Sequence, residues 1–344
     1  MKSAWLRSSE RRDGAQPARS ARAGDRSGAA MFATLKSLSP SRYVIYVGFL
    51  AIFAAFSVIL RNDGFATPTN LLNIIQQTTP VTVMAVGAVF VLTAGEIDLS
   101  LGSVVAVSAL LAATVLRNWA WPAGVAAGLG AGALIGALNG ALVAYGRLPS
   151  FLVTLATMGV FAGVARRMTD LKSVPIENDA FNALFGSGAL FGLPSLIVWT
   201  IVAVAVGYFV FRETRFGAHV HAVGDSANAA RATGIKVLRL RFMVMLLSGV
   251  LAALAGLLYA GRLNGARYTL GEADLLTVIA AVIVGGTKLN GGVGSIIGAL
   301  IGSLLMGMLN NGLILMGFQP SDQMIARGLI ILIAVALTLR EPNR

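Results

Sequence analysis

The chain has no cysteine, only two histidines and few charges. Without cysteine there is no disulfide framework and no thiolate metal site. The two histidines, His219 and His221, lie two positions apart in a polar stretch, and no other ligand residue nearby completes a metal site. Charged residues make up 12% of the 344 positions, about half the usual soluble share, while 56% are apolar. Mean hydropathy is +0.77. A water-soluble domain needs a charged shell that this composition does not supply. Acids are scarce too, 15 against 27 Lys and Arg, giving a formal charge of +12. That excess does not point to nucleic acid, because residues 1–42 hold nine of the basic residues and a second cluster lies in residues 212–241. Basic residues gathered in a few loops of an apolar chain report membrane topology.

What the chain has in quantity is long uncharged runs. Tyr43 to Leu60 is uncharged over 18 residues and Leu71 to Gly95 over 25, and about 20 such residues cross a bilayer as a helix. The reading is an all-α polytopic membrane protein with ten crossings, near residues 43–60, 71–94, 101–116, 120–145, 148–165, 195–211, 242–261, 273–287, 292–317 and 323–340. Both termini then lie on one side. With that side inside, inner segments hold 19 of the 27 basic residues, and the outer cluster Arg166, Arg167 and Lys172 runs against the trend. Residues 1–42 are expected to be a disordered basic tail, residues 43–340 the transmembrane domain with a cytoplasmic loop at 212–241, and residues 341–344 a cytoplasmic tail. Met31 offers a second translation start.

Glycine supplies the packing. Gly124, Gly128, Gly132, Gly136 and Gly140 recur every four residues, a stripe that lets helix backbones approach closely where lipid removes the hydrophobic drive. Gly294, Gly298 and Gly302 repeat the device. Ser100–Ala106 reads like Gly292–Gly298, a hint of internal duplication. Gly95 and Gly102 bracket a segment that reads as broken or re-entrant backbone, with Glu96 and Asp98 at membrane depth. Asp98 reads as a cap of the following helix, with Ser100 competing, or as part of a gate or ion-coupling site. Gln76 with its neighbours Gln77, Thr78 and Thr79, then Asn139, Thr154, Thr157, Asn310 and Asn311, either bond between helices or line a wet path. Neutral amides and hydroxyls suit an uncharged polyhydroxylated solute.

The loop 212–241 holds a short Ala-rich helix, with Asp225 as N-cap, residues 226–233 as its turns and Gly234 as its stop. Gly217 and Gly224 punctuate the approach. Such a helix is too small to be a domain and presents small side chains to a partner's groove. No G-x-x-x-x-G-K-[ST] motif occurs, so an ATP-driven activity would use another chain's nucleotide site.

Gly95-Glu-Ile-Asp-Leu-Ser-Leu-Gly-Ser103, Leu148-Pro-Ser-Phe-Leu-Val-Thr-Leu-Ala-Thr-Met158, Ala222-Val-Gly-Asp-Ser-Ala-Asn-Ala-Ala-Arg-Ala-Thr-Gly-Ile235, Ile279-Ala-Ala-Val-Ile-Val-Gly-Gly-Thr287 and Asn311-Gly-Leu313 occur in the order found in the permeases of ribose-, xylose- and galactose-type ABC importers. Over residues 45–340 the chain resembles that family. The resemblance implies a channel of two permease copies, identical or related, in the bacterial inner membrane. It implies a cytoplasmic ATPase that binds ATP-Mg and docks on the 212–241 loop, and a periplasmic protein that delivers the solute. It assigns coupling to Gly224, Asp225, Ala229, Ala230, Gly234 and Ile235. Two departures stand out. Glu96 occupies a position that is usually Gly, and Ser226 one that is usually Asn. A proton-coupled secondary transporter using Glu96 or Asp98, and an ABC permease for branched-chain amino acids or nucleosides, are the other readings open at this point.

Overall fold

The computed structural model describes residues 41–319, 321–326, 328, 329 and 332. The expected basic tail, apart from Ser41 and Arg42, lies outside the described residues. So do most of the tenth expected helix and residues 341–344.

Nine helices among the described residues match the first nine expected crossings. They are α1 (Ser41–Ile59), α2 (Pro68–Thr93), α3 (Leu101–Leu116), α4 (Trp121–Ala144), α5 (Ser150–Thr169), α7 (Ser195–Glu213), α10 (Val237–Arg262), α11 (Asp274–Val284) and α12 (Ile296–Leu315). Six are long and apolar enough to cross a membrane: α2, α4, α5, α7, α10 and α12. Three more, α1, α3 and α11, are apolar but shorter over that stretch. At 11 residues α11 spans about 16 Å, roughly half a hydrocarbon core. The turn Gly285–Gly286 ends it, with Gly286 at φ +87°. Shorter helices among the described residues include α6 (Asp179–Asn182), which runs on into a π-helical turn at Ala183–Ser187, α8 (Arg215–Asp225) and α9 (Ala227–Ala232).

α2 is the central helix. Its span is 83% buried, against 22% for α5 and 39% for α4 and α7. Thr67 caps it, accepting from the Asn70 N–H, and Pro68 opens its first turn. The helix continues through Pro80, which has no N–H for the Gln76 carbonyl. Around it, hydroxyls bond between helices: Thr79 Oγ1 to Thr200 Oγ1 at 2.8 Å and Thr82 Oγ1 to Ser303 Oγ at 2.7 Å. The outward faces of α4, α5 and α7 are apolar and exposed, as at Leu134, Val160 and Phe209. That is the arrangement lipid as solvent permits.

The glycine stripe of α4 faces α10 and α3. A Cβ at Gly136 would lie 2.7 Å from the Met245 carbonyl, one at Gly140 2.8 Å from that of Phe242, and one at Gly128 3.0 Å from that of Ser108. Gly132 and Gly249 face each other across the same contact, and Gly124 sits against Leu116. On α12, Gly298 and Gly302 press on the carbonyls of Gly285 and Ala281 in the same way. Gly294 lies before that helix, because the Ser295 hydroxyl accepts from Gly298 N at 2.9 Å and starts it at Ile296. The paired segments Ser100–Ala106 and Gly292–Gly298 therefore differ locally: Ser295 is a cap, whereas Ser103 lies inside α3.

Contacts sort the loops into two sets. At one end the turn after α2, the start of α5, α8 and the 285–295 loop meet. At the other, β1 (Val174–Pro175) pairs antiparallel with β4 (Gly265–Ala266). There Phe181, Phe185 and Trp199 stack in series at 5.0 and 5.4 Å. The small hairpin of β2 (Ala189–Leu190) and β3 (Leu193–Pro194) lies between. Residues 170–194, featureless to sequence reasoning, thus form a knot of turns at the second end. Its cations are partly neutralised: Arg166 pairs with Glu272 at 2.7 Å and Arg167 with Asp170 at 3.1 Å.

Candidate functional site

The segment Gly95–Ser100 is non-helical backbone between α2 and α3, and Gly95 turns it at φ +80°. Such a stretch inside a bundle needs partners for its polar groups. They come from three helices. Ser150 Oγ, at the start of α5, accepts from Ile97 N at 3.0 Å, and Thr154 Oγ1 donates to Ile97 O at 3.1 Å. Asp98, 7% exposed, is saturated by short bonds. Its Oδ1 accepts from Ser100 N at 2.9 Å and Ser100 Oγ at 2.6 Å, and its Oδ2 accepts from Ser248 Oγ of α10 at 2.6 Å. Asn139 Nδ2 of α4 donates to Ser100 Oγ at 2.9 Å.

Asp98 therefore does not cap α3. Ser100 is the N-cap residue, and Asp98 folds back onto it, tying the segment to α10. Three donors thus converge on the two oxygens of one buried carboxylate. Glu96, 5% exposed, approaches Arg241 in the first turns of α10, with Oε1 2.7 Å from Nε. The approach is off the N–H direction, so this is an ion pair by charge rather than an aligned hydrogen bond. Sequence reasoning ended the polar loop at Arg241. The helix instead starts at Val237, and that places the cation beside Glu96.

A second junction adjoins the first. α8 runs from Arg215 through Asp225, so Gly217 and Gly224 are helical rather than breaks in the chain. Their role is close approach. A Cβ on Gly224 would fall on the Thr93 carbonyl and 2.5 Å from Gly292 N, and one on Gly291 would meet the Gly224 carbonyl at 2.7 Å. Gly292 N donates to Thr93 O at 2.9 Å. His221 Nδ1 lies 2.9 Å from Gly292 O and, facing a carbonyl, is the donor. The His221 ring rests on Phe211 at 4.6 Å. His221 is thus a packed residue, half-buried at this junction, while His219 is exposed. The end of α2, the end of α8 and the 288–294 loop meet backbone to backbone.

α9 projects beyond this junction. Asp225 is not its N-cap: it ends α8, and Ser226 Oγ accepts from Ala229 N at 3.3 Å. Ser performs the capping that Asn performs equally well. Gly234 stops the helix at φ +87°. Asp225, Ala229 and Gly234 are exposed, Ala230 is 4% exposed, and Ile235 is half-buried against the core.

The other candidate residues separate. Asn311 exchanges two amide hydrogen bonds with Asn70, at 2.9 and 3.0 Å, joining α12 to α2 at the opposite end. Gln76 is half-buried on α2 and forms no hydrogen bond with the described residues, and Asn310 is half-buried on α12. Thr157 is buried and donates to Thr154 O at 3.3 Å. Among the described residues no three His, Asp or Glu side chains converge as metal ligands do.

The family described as "branched-chain amino acid transport system / permease component" matches residues 70–335. Among curated proteins, the ribose import permease protein RbsC of Bacillus subtilis is 39% identical over 298 residues, 85% of this chain and 92% of that one. Its Escherichia coli counterpart is 38% identical over 84% of this chain and 91% of its own length. The L-arabinose transport system permease protein AraH of Escherichia coli is 36% identical, over 86% and 89%. No solved structure matches.

Proposed function

Since this chain belongs to the family of branched-chain amino acid transport system permease components, we propose that it is the membrane-spanning subunit of an ATP-driven importer that carries a sugar or sugar-like solute from the periplasmic side to the cytoplasm. It is a multi-pass inner-membrane protein and a transport subunit rather than an enzyme. Membership implies a separate ATPase subunit, which hydrolyses ATP, and a periplasmic solute-binding protein. The sugar class rests on the ribose and arabinose permeases, each matched over nine-tenths of its length. The half-buried neutral amides of Gln76, Gln77 and Asn310, with the Gln76 carbonyl left by Pro80, suit hydroxyl recognition along α2 and α12.

The observation that carries the coupling reading is the junction at Gly224. α8 sits by backbone contact on the end of α2 and on the loop leading to α12, and α9 follows directly from it. An ATPase docked on Asp225, Ala229 and Gly234 acts through that junction on the transmembrane helices, with Ala230 and Ile235 anchoring α9. Ten crossings, N-in and C-in, complete the topology. The alternation of the nine described helices between two ends and the basic 212–241 segment support it. A second copy of this chain, or a related one, closes the channel against the exposed apolar faces. The proton-coupled reading loses its residues, because Glu96 is paired with Arg241 and Asp98 is saturated by hydroxyls and an N–H.

The test is co-purification with candidate ATPases from the same organism, with and without Gly234→Pro or Ala229→Trp, followed by sugar uptake in reconstituted vesicles. Capture of an ATPase that either change releases supports the assignment. Uptake by this chain alone that follows a proton gradient would overturn it.

A further inference from the structure

A groove of about 890 Å³ runs between α7–α8 and α10. His219, Lys236 and Arg239 line one end, and Met243, Leu246 and Leu247 continue it toward Val250. The spacing 236, 239, 243, 246/247 and 250 is one stripe of one helix, cationic at its start and apolar after it. Lys236 and Arg239 are exposed and form no salt bridge with the described residues. The first turn of α10 holds no acid, and its cap residue Lys236 makes no side-chain capping bond. Two cations at the positive end of a helix dipole weaken the helix, a cost that an anion bound from outside would offset.

We propose that this groove binds an anionic phospholipid, its phosphate at Lys236, Arg239 and His219 and an acyl chain along Met243 to Val250. The apolar part distinguishes a lipid from a free phosphate. From Arg239 to Val250 the stripe runs 11 residues, about 16 Å, which is the depth of one leaflet. A basic pocket between membrane helices on the cytoplasmic side is a setting in which such headgroups bind. The proposal rests on the cytoplasmic placement of residues 212–241. Gly234 and Ile235 line the same groove, so a bound lipid braces the joint between α9 and α10.

The test counts lipid adducts on the full-length chain by native mass spectrometry during titration with phosphatidylglycerol or phosphatidylcholine in detergent. Lys236→Gln/Arg239→Gln is expected to weaken phosphatidylglycerol binding roughly 30-fold. Phosphatidylcholine binding stays unchanged, as does phosphatidylglycerol binding to an Arg117→Gln/Arg267→Gln control. Leu246→Trp, which fills the apolar part without changing charge, also lowers phosphatidylglycerol binding. Equal affinity in the Lys236/Arg239 variant overturns the proposal. So does insensitivity to Leu246→Trp or displacement by inorganic phosphate, since either leaves only a surface charge effect. A Leu246→Cys crosslink to a second copy in this cysteine-free chain would make the occupant a protomer and overturn it too. Labelling of Arg239→Cys by an impermeant maleimide from the periplasmic side alone would instead refute the sidedness reading, independently of the lipid counts.

Discussion

The Glu96–Arg241 pair makes an asymmetric prediction. The Glu96 side chain is 7% exposed and that of Arg241 32%, so the two charges are not equally dependent on each other. Arg241→Ala strands a carboxylate that water cannot reach, and removing one partner of a buried pair costs about 3 kcal/mol at the lower end of the usual range. Glu96→Gly strands a guanidinium that water does reach, at about 1 kcal/mol. The double variant has no charge to strand and should cost no more than Glu96→Gly alone. The coupling between the sites is then about 3 kcal/mol, most of the effect of Arg241→Ala. The assay is a double-mutant cycle on denaturation of the solubilised protein in mixed micelles with increasing dodecyl sulfate, read by tryptophan fluorescence. Additive effects would refute the reasoning, as would Glu96→Gly proving more damaging than Arg241→Ala.

Other outcomes follow from single contacts. Gly224→Ala places a methyl on the Thr93 carbonyl and should abolish ATP-driven uptake while costing about 1–3 kcal/mol, whereas Gly130→Ala, with nothing within 4 Å, should be silent in both assays. Ser226→Ala should destabilise α9 by about 1 kcal/mol and loosen the ATPase in pull-downs, and Ser226→Asn should restore both. Ser248→Ala removes one of three donors to Asp98 and should cost about 1.5–3 kcal/mol in the same denaturation assay, with Ser248→Thr milder. Gly136→Leu should block folding of the α4–α10 contact and abolish membrane yield, where Gly163→Leu, on an open face, should not.

The helices were legible because a bilayer demands uncharged length, and α3 matched its expected bounds residue for residue. The misses have two physical sources. Charge inside a helix hid the start of α10, since Arg239 and Arg241 look like loop until Glu96 and the groove account for them. Glycine hid α8: Gly217 and Gly224 read as breaks, because a sequence shows that glycine lacks a side chain but not what occupies the space. Of the site, Glu96, Asp98, Asn139 and Thr154 were found as polar groups at depth. Their partners Ser150, Ser248 and Arg241 were not, because each lies far along the chain and serine at depth is commonplace. Thr93, whose carbonyl anchors the Gly224 junction, carries no local signal at all.

The two junctions give the proposed coupling a physical route. Side chains absorb displacement by changing rotamer, and a contact made of side chains would let α8 shift while α2 stayed in place. At Gly224 there is no side chain to yield. The Thr93 carbonyl, the Gly292 N–H and the α8 backbone are in direct contact, and His221 pins Gly292 from the other side. Packed contacts of this kind move together or separate. One step along the chain from Thr93 and Gly95 comes the Glu96–Asp98 segment, bonded to α4, α5 and α10. A displacement of α8 therefore reaches four long helices through backbone and short polar bonds. The two features that depart from the sequence pattern of the sugar permeases support this arrangement: Ser226 keeps the cap of α9, and Glu96 adds an ionic tie to the start of α10.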